Sequence, residues 1–525
     1  MRQISDLVVV LVVVAMTGFG CQMHGDLASS VRVRMPGTVR VMCNLDAWSG
    51  LSSPSGDEWI VGPEGTRRYM ELLAGTGVQD VLFNVNAKRT NYRSDVWEAM
   101  WDGQEDAESN TGHWRVPKEY YDQGYDYPAV AVQACREKGM TPWISIRMND
   151  SHYAPLADHD HSYHSSFWKE HPQWWVAPYR FITWHDRCLD YGQKEVRDHY
   201  MALIKEVLTR YDMDGLELDF MRFMRYFRPG QMREGTQILT QFVSQVRHQV
   251  KKAEKRWGHE IALGVRVPSR PEIARSLSLD AIAWARIGLI DLVVAQSSWE
   301  GSDSDIPVEL WKELLAETGV TLAVGFEDGI TPYRPARPYA SPEFDTALAL
   351  AAVHRGAEVV YLMNHHDGSH ISPDRETYRQ LLIDLGSVKA LRDRERHHMV
   401  TQAFSWPVTD GLAPATSLPY TGRWGIFRLY TGPRPTAKQS TTIRLGIQDH
   451  RKPARVYLNG RLCSWERTDE KWEIYTVASQ EVKEGYNIIE VAADEQVTPN
   501  AVADPAEPRE PKKELTVTWV EMRIR

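Results

Sequence analysis

The sequence predicts a (β/α)8 barrel followed by an all-β sandwich, and three observations predict it. Eight apolar, strand-like runs lie at 38–46, 78–87, 141–150, 213–222, 261–268, 290–299, 321–328 and 357–365. Helix-period segments lie between most of them, as at 196–211 and 236–257. Strands alternating with helices make a parallel sheet, and eight such units over roughly 330 residues close into a barrel. Beyond 416 the pattern changes to short alternating strands at 424–429, 441–447, 455–458, 472–476, 487–492 and 515–525, with turn signals at Asn459-Gly460 and Glu484-Gly485. That is the signature of an antiparallel sandwich.

The fourth run, Asp214-Gly215-Leu216-Glu217-Leu218-Asp219-Phe220, carries the most chemistry. Side chains two apart in a strand share a face, so Leu216, Leu218 and Phe220 turn to the helices and Glu217 and Asp219 to the other side. Charges there cost stability unless paired or used. They are either an active-site pair or a buried ion-pair network, with Glu217 bridging Arg147 or Arg266.

The other strands end in the same way. Alternate positions give Asn44 and Asp46 on the first, Asn84 and Asn86 on the second, and Arg147 and Asn149 on the third. The fifth gives Arg266, the sixth Gln296 with Trp299 beside it, the seventh Glu327, and the eighth Asn364 with His365 at the rim. His152 and Arg222 follow the third and fourth strands. Active sites of this fold lie at the C-terminal strand ends, so these side chains are expected to line one substrate-binding mouth.

Cleavage of a glycosidic bond uses two carboxyl groups, one protonating the leaving oxygen and one acting as nucleophile or base. Glu217 or Asp219 faces Glu327 across the mouth. Arg147 and Arg266 flank the fourth strand and favour an ionised carboxylate there, which suits a nucleophile or base. Glu327, beside Phe326 and Gly325, is the candidate acid, whose proton affinity has to be raised. Arg147, Arg222, Arg225 and Arg266 at one mouth would suit an acidic or sulfated glycan. The long segments 87–127 and 149–193 are rich in Trp, Tyr and His, as platforms for sugar rings or as anchors of the loops themselves.

The N-terminus has Arg2, an apolar run over 7–16 and small residues up to Cys21, the order of an export signal. Residues 1–21 are therefore expected to be a signal peptide and 22–37 a tether. Gly18-Phe19-Gly20-Cys21 resembles a bacterial lipoprotein site, which implies lipidation at Cys21 and a periplasmic or outer-surface location; membrane contact would come only through that anchor. A net charge of −9 leaves no basic footprint for nucleic acid. Of the other cysteines, Cys43, Cys135, Cys188 and Cys463 have no CxxC spacing and read as free structural thiols. No Gly-rich phosphate loop follows a strand, so no cofactor is implied.

The run Leu189-Asp190-Tyr191, Glu195-Val196-Arg197, Tyr200 and then 210–222, with the upstream His171-Pro172-Gln173-Trp174-Trp175, resembles the glycoside-hydrolase-like family 10 barrels. The resemblance covers 38–397 and implies a glycosidase barrel. The Asp-Gly-x-x-x-Asp core is also similar to the fourth strand of amylase-type barrels, which implies a nucleophile at Asp219. Val456-Tyr457-Leu458-Asn459-Gly460 and Glu484-Gly485-Tyr486-Asn487 resemble the galactose-binding-like sandwiches attached to many glycosidases, which implies an accessory domain over 416–525. Three other readings stay open: a glycan-binding protein without catalysis, a polysaccharide lyase using Tyr, His or Arg, and metal chemistry at His159-Asp160-His161.

Overall fold

Eight parallel strands close on themselves: β1 (Arg40–Leu45), β2 (Val78–Asn84), β3 (Thr141–Arg147), β4 (Gly215–Asp219), β5 (Ala262–Pro268), β6 (Leu292–Gln296), β7 (Thr321–Phe326) and β8 (Val359–Met363), with β8 pairing back onto β1. The computed structural model describes residues 37–46, 50–55, 58–104, 114–156, 161–297, 301–332, 340–365, 374–401, 418–448, 452–493 and 514–525. Trp299, Cys21, the signal-like segment 1–21, and His159-Asp160 lie outside them. Gly37–Arg525 forms one unit.

The two faces of each strand meet different cores. Leu216, Leu218 and Phe220 pack in the layer between strands and helices, while Met42, Leu82, Trp143, Val294, Ala323 and Tyr361 fill the lumen. Trp143 sets the floor of the lumen. Its indole N–H donates to Asp80 Oδ1 at 3.1 Å, and Arg40 grips the same carboxylate at 2.6 and 2.7 Å. A Cβ on Gly215, one strand away, would lie 2.1 Å from the indole. Glycine opens the fourth strand, then, because a tryptophan crosses in front of it.

Flanking helices follow the apolar periodicity. Lys194–Arg210 leads into β4, and Met232–Trp257 follows it and ends at Gly258 in the left-handed region, φ 81°. Glycine adopts that conformation at little cost.

The C-terminal region holds two antiparallel sheets. One contains β9 (Arg396–Met399), β10 (Tyr420–Gly422), β12 (Thr441–Gln448), β15 (Ser464–Asp469), β16 (Trp472–Val477) and β18 (Leu515–Ile524). The other contains β11 (Trp424–Tyr430), β13 (Arg455–Leu458), β14 (Arg461–Leu462) and β17 (Tyr486–Ala492). Phe427, Leu429, Leu445, Tyr475, Val491 and Met522 are among the side chains packed in their shared core. Two strands depart from expectation. β9 starts just before the expected barrel limit at 397 and pairs Arg396 with Ile524, so residue 397 falls inside a strand of the C-terminal sheet. β15 is exposed along its whole length and has no apolar alternation to announce it.

The sandwich docks on the barrel helix Pro342–His354 and the residue after it. Arg355 donates to Glu309 at 2.8 and 2.9 Å and to Asp305 at 3.3 Å, and lies against the rings of Tyr430 and Tyr486 at 4.7 and 5.4 Å. Asp305 also accepts from Tyr486 at 2.8 Å and from Arg428. Cys43, Cys135, Cys188 and Cys463 are free and buried.

Candidate active site

Strand register places the carboxylates. Ser145 and Arg147 on β3 pair with Glu217 and Asp219 on β4, and Asp219 pairs with Arg266 on β5. Glu217 has no exposed surface, against 1% for Asp219 and Glu327. Its Oε1 accepts from Ser145 Oγ at 2.7 Å, Tyr361 OH at 3.0 Å and Asn44 Nδ2 at 3.1 Å. Its Oε2 is buried with no partner among the described residues. The proposed bridge to Arg147 or Arg266 is replaced by three uncharged donors. Burial pushes the Glu217 carboxyl up to about 7, and the nearby Asp219 charge adds to the rise against the pull of Arg266, Ser145 and Tyr361. Burial and Asp219 outweigh the lowering that the sequence leads one to expect from a flanking arginine, which Arg266 does exert on Glu217.

Asp219 and Glu327 sit on either side of Arg266. Arg266 Nε donates to Asp219 Oδ1 at 3.0 Å and Nη2 to Oδ2 at 2.6 Å, and the Met221 amide adds 2.8 Å to Oδ1. Nη1 of the same guanidinium is 3.9 Å from Glu327 Oε1. Glu327 also accepts from Gln296 Nε2 at 3.1 Å and Asn364 Nδ2 at 2.8 Å. Burial pushes its carboxyl up to about 7, with Arg266 opposing and Asp328 adding to the rise. Arg266 thus grips Asp219 bidentately, whereas Glu327, raised to about 7, keeps its proton near neutrality.

The rim carries a second network. Arg147 donates to Asp46 and, at 3.0 Å, to Asp150. Arg222 Nη2 lies 3.3 Å from Asp46 and 3.3 Å from His152 Nε2. His152 Nδ1 faces Asp150 at 2.9 Å. That partner assigns the ring proton to Nδ1 and leaves Nε2 as an acceptor toward Arg222. Burial takes His152 down to about 4, so it is neutral at neutral pH. Burial also takes Lys88, 3.5 Å from Asp150, down to about 8. Asp150 itself is held well below the usual carboxylate range by His152, Lys88 and Arg147, against its burial.

Several expected substrate contacts serve the scaffold instead. Asn86 accepts from the Arg147 amide at 3.0 Å and donates to the Arg147 and Ala87 carbonyls. Asn149 is spent on the Leu189 and Arg225 backbone. Asn86 ties the loop after β2 to β3, and Asn149 ties the loop after β3 to two further loops, each with both amide ends occupied. Asn84 donates to the Ser145 carbonyl at 3.4 Å, and its Oδ1 is buried and unpartnered among the described residues. His365 is not at the rim. Asn364 is left-handed, φ 59°, a conformation asparagine tolerates better than most residues. It sends its own amide to Glu327 and turns His365 behind the strand, where Nε2 meets Asp345 at 3.2 Å. Trp299 lies outside the described residues.

Sequence reading missed Ser145, Tyr361, Asp150 and Lys88. Ser145 and Tyr361 fall on inward positions of β3 and β8, so their parity was a usable signal. Asp150 and Lys88 lie in loops, where parity says nothing. Among the aromatic residues, Trp97 and Trp168 are buried anchors whose indoles donate to the His199 and Arg187 carbonyls at 3.0 and 2.8 Å. Trp184 is only partly buried and stands 6.4 Å from the His152 ring. Among the described residues no group of three or more His, Cys, Asp or Glu side chains is arranged to hold a metal ion.

No family model matches the chain, and no curated protein does. Among solved structures, alpha-L-fucosidase isoenzyme 2 from Paenibacillus thiaminolyticus aligns over 67% of this chain and 48% of its own, at 15% identity and a TM-score of 0.41. The PgaB (BpsB) glycoside hydrolase domain from Bordetella bronchiseptica aligns over 66% of this chain and 99% of its own, at 12% identity and a TM-score of 0.38. An alpha-L-fucosidase GH29 from Bacteroides thetaiotaomicron aligns over 88% and 94%, at 10% identity and a TM-score of 0.33. The chain thus spans about half the length of the first of these.

Proposed function

We propose that the barrel mouth hydrolyses glycosidic bonds of an extracellular polysaccharide or oligosaccharide. The observation that carries this reading is the placement of Asp219 and Glu327 against one buried guanidinium, Arg266, with Glu327 lifted to about 7. Acid-assisted glycoside cleavage requires two carboxyl groups, one of them with a raised proton affinity so that it can donate. Glu327 gives its proton to the leaving oxygen. Asp219, gripped bidentately by Arg266, meets the positive charge that develops at the anomeric carbon, as nucleophile or as base toward water. Glu217 presents its unpartnered Oε2 to a substrate hydroxyl, backed by Tyr361, Ser145 and Asn44.

The charge balance favours a neutral sugar at this mouth over the acidic or sulfated one expected from its arginines. Arg147 is matched by Asp46 and Asp150, Arg222 by Asp46, Arg225 by Asp186 and Arg266 by Asp219. The motif resemblance to glycoside-hydrolase-like family 10, and export with a lipid at Cys21, are part of the same reading. The test is reducing-end release from a panel of neutral and acidic polysaccharides by wild type and by Asp219→Asn. Release by the wild type alone supports hydrolysis at this site. A product absorbing in the ultraviolet through a new double bond would mean elimination instead, and no release by the wild type would leave binding without catalysis.

A further inference from the structure

A second charged region lies at the opposite end of the barrel from the mouth. A cavity of about 380 Å³ opens between Gly37, just ahead of β1, the helix Val388–Asp393, the start of β9 and the segment after β11. Its lining includes Lys389, Arg392, Arg396 and Arg434 against one acid, Asp393. Lys389 already holds Asp393 at 2.6 Å. Among the described residues, Arg392, Arg396 and Arg434 have no carboxylate within ion-pair distance.

Arg396 is the informative member. It is 1% exposed, its Nη1 donates to the Arg392 carbonyl, and its Nε is buried without a partner among the described residues. A buried guanidinium with no carboxylate paired to it is costly, and here Asp393 acts on it only from beyond ion-pair distance. Burial, with the repulsion of Arg392, lowers its proton affinity to about 10, so it remains charged at neutral pH. Gln439, which donates to the Arg392 carbonyl at 3.2 Å, and Thr436 add uncharged hydrogen-bonding groups to the wall. The volume falls in the range of small-ligand sites.

We propose that this junction cavity binds an oxyanion, a sulfate or carboxylate group, free or carried on a ligand of monosaccharide size. Arg396 supplies the buried charge and Arg392 and Arg434 close on the anion from the exposed wall. The site joins the barrel base to the sandwich, so an anion there ties the two sheets and the helix together. It makes no use of the barrel mouth and stands whether or not the mouth hydrolyses sugars.

The experiment is titration calorimetry of the full chain with sodium sulfate and then sodium glucuronate, against sodium chloride at matched ionic strength. Saturable sulfate binding is expected, weakened roughly tenfold or more in the exposed double variant Arg392→Gln/Arg434→Gln, as the loss of charge-assisted contacts predicts. Displacement of sulfate by glucuronate would assign the site to an acidic sugar, and failure to displace it would assign it to a free oxyanion. Heat no different from chloride, or equal sulfate affinity in the double variant, overturns the proposal. Arg396→Met, checked for folding by circular dichroism, should abolish binding; undiminished binding by that folded variant also overturns it.

Discussion

Arg266 donates two hydrogen bonds to Asp219, at 3.0 and 2.6 Å, and keeps its third nitrogen 3.9 Å from Glu327. One cation therefore grips Asp219 through two nitrogens and opposes the rise in proton affinity that burial causes at Glu327. Arg266→Gln removes both the positive charge and the bidentate geometry. It is expected to lower kcat by about tenfold to a hundredfold and to move the alkaline limb of the pH–rate profile upward, because Glu327 then releases its proton less readily. An unmoved limb in this variant would separate Glu327 from the acid role.

The two carboxylates are distinguished by their leaving-group dependence. Glu327→Gln removes proton donation, worth about 10²–10⁴-fold, and should spare substrates whose leaving group needs no proton, such as dinitrophenyl glycosides. Asp219→Asn should lose comparable activity on both kinds of substrate. Equal rescue of the two variants by the activated substrate would remove the assigned roles.

Glu217 makes a pH prediction for stability. Its carboxyl rises from the ordinary 4.5 to about 7 on folding. A raised folded value means a contribution fully present below 4.5 and lost as pH climbs through about 7. Wild type should thus lose stability between about pH 5 and about pH 8, and Glu217→Gln should lose less, by roughly 1–3 kcal/mol. Urea denaturation midpoints at the two pH values check this, with Glu327→Gln as a second contributor in the same window.

All eight barrel strands and the convergence of Glu217, Asp219 and Glu327 were legible in the sequence, because an apolar run with alternating polar ends is a local signal. The partners of those acids were less so. Tyr361 reads as core packing until its hydroxyl is seen on Glu217, and Arg147 reads as a substrate contact until Asp46 and Asp150 are placed around it. His365 failed for a different reason. One left-handed residue, Asn364, breaks the alternation on which the inference rested. β9 escaped notice because its pairing partner, β18, is more than a hundred residues away, beyond the reach of any local pattern.

Export and lipidation are checked at the N-terminus of the protein isolated from its native host. Mass spectrometry should find Cys21 as the first residue, carrying two or three acyl chains. More than one chain is needed for stable anchoring. An unmodified terminus beyond Cys21 would mean secretion without a tether, and retention of Met1 would remove the extracellular substrate from the reading.

The barrel–sandwich contact bears on whether the sandwich is an independent accessory module. An accessory module implies a barrel that stands without 416–525, yet Arg355 is nearly enclosed, with Glu309 and Asp305 on one side and Tyr430 and Tyr486 on the other. Asp305 is held in turn by Tyr486 and Arg428 from the sandwich. Removing one partner of such a network leaves charge uncompensated, so Arg355→Ala should cost roughly 2–4 kcal/mol. A chain ending near residue 400 should lose the two tyrosines and Arg428 together and strand β9 without Leu515–Ile524 to pair with. Its melting temperature is expected to fall well below that of the full chain, with exposed apolar surface promoting aggregation. A truncated barrel that melts at the full chain's temperature would show the sandwich to be an independent module after all.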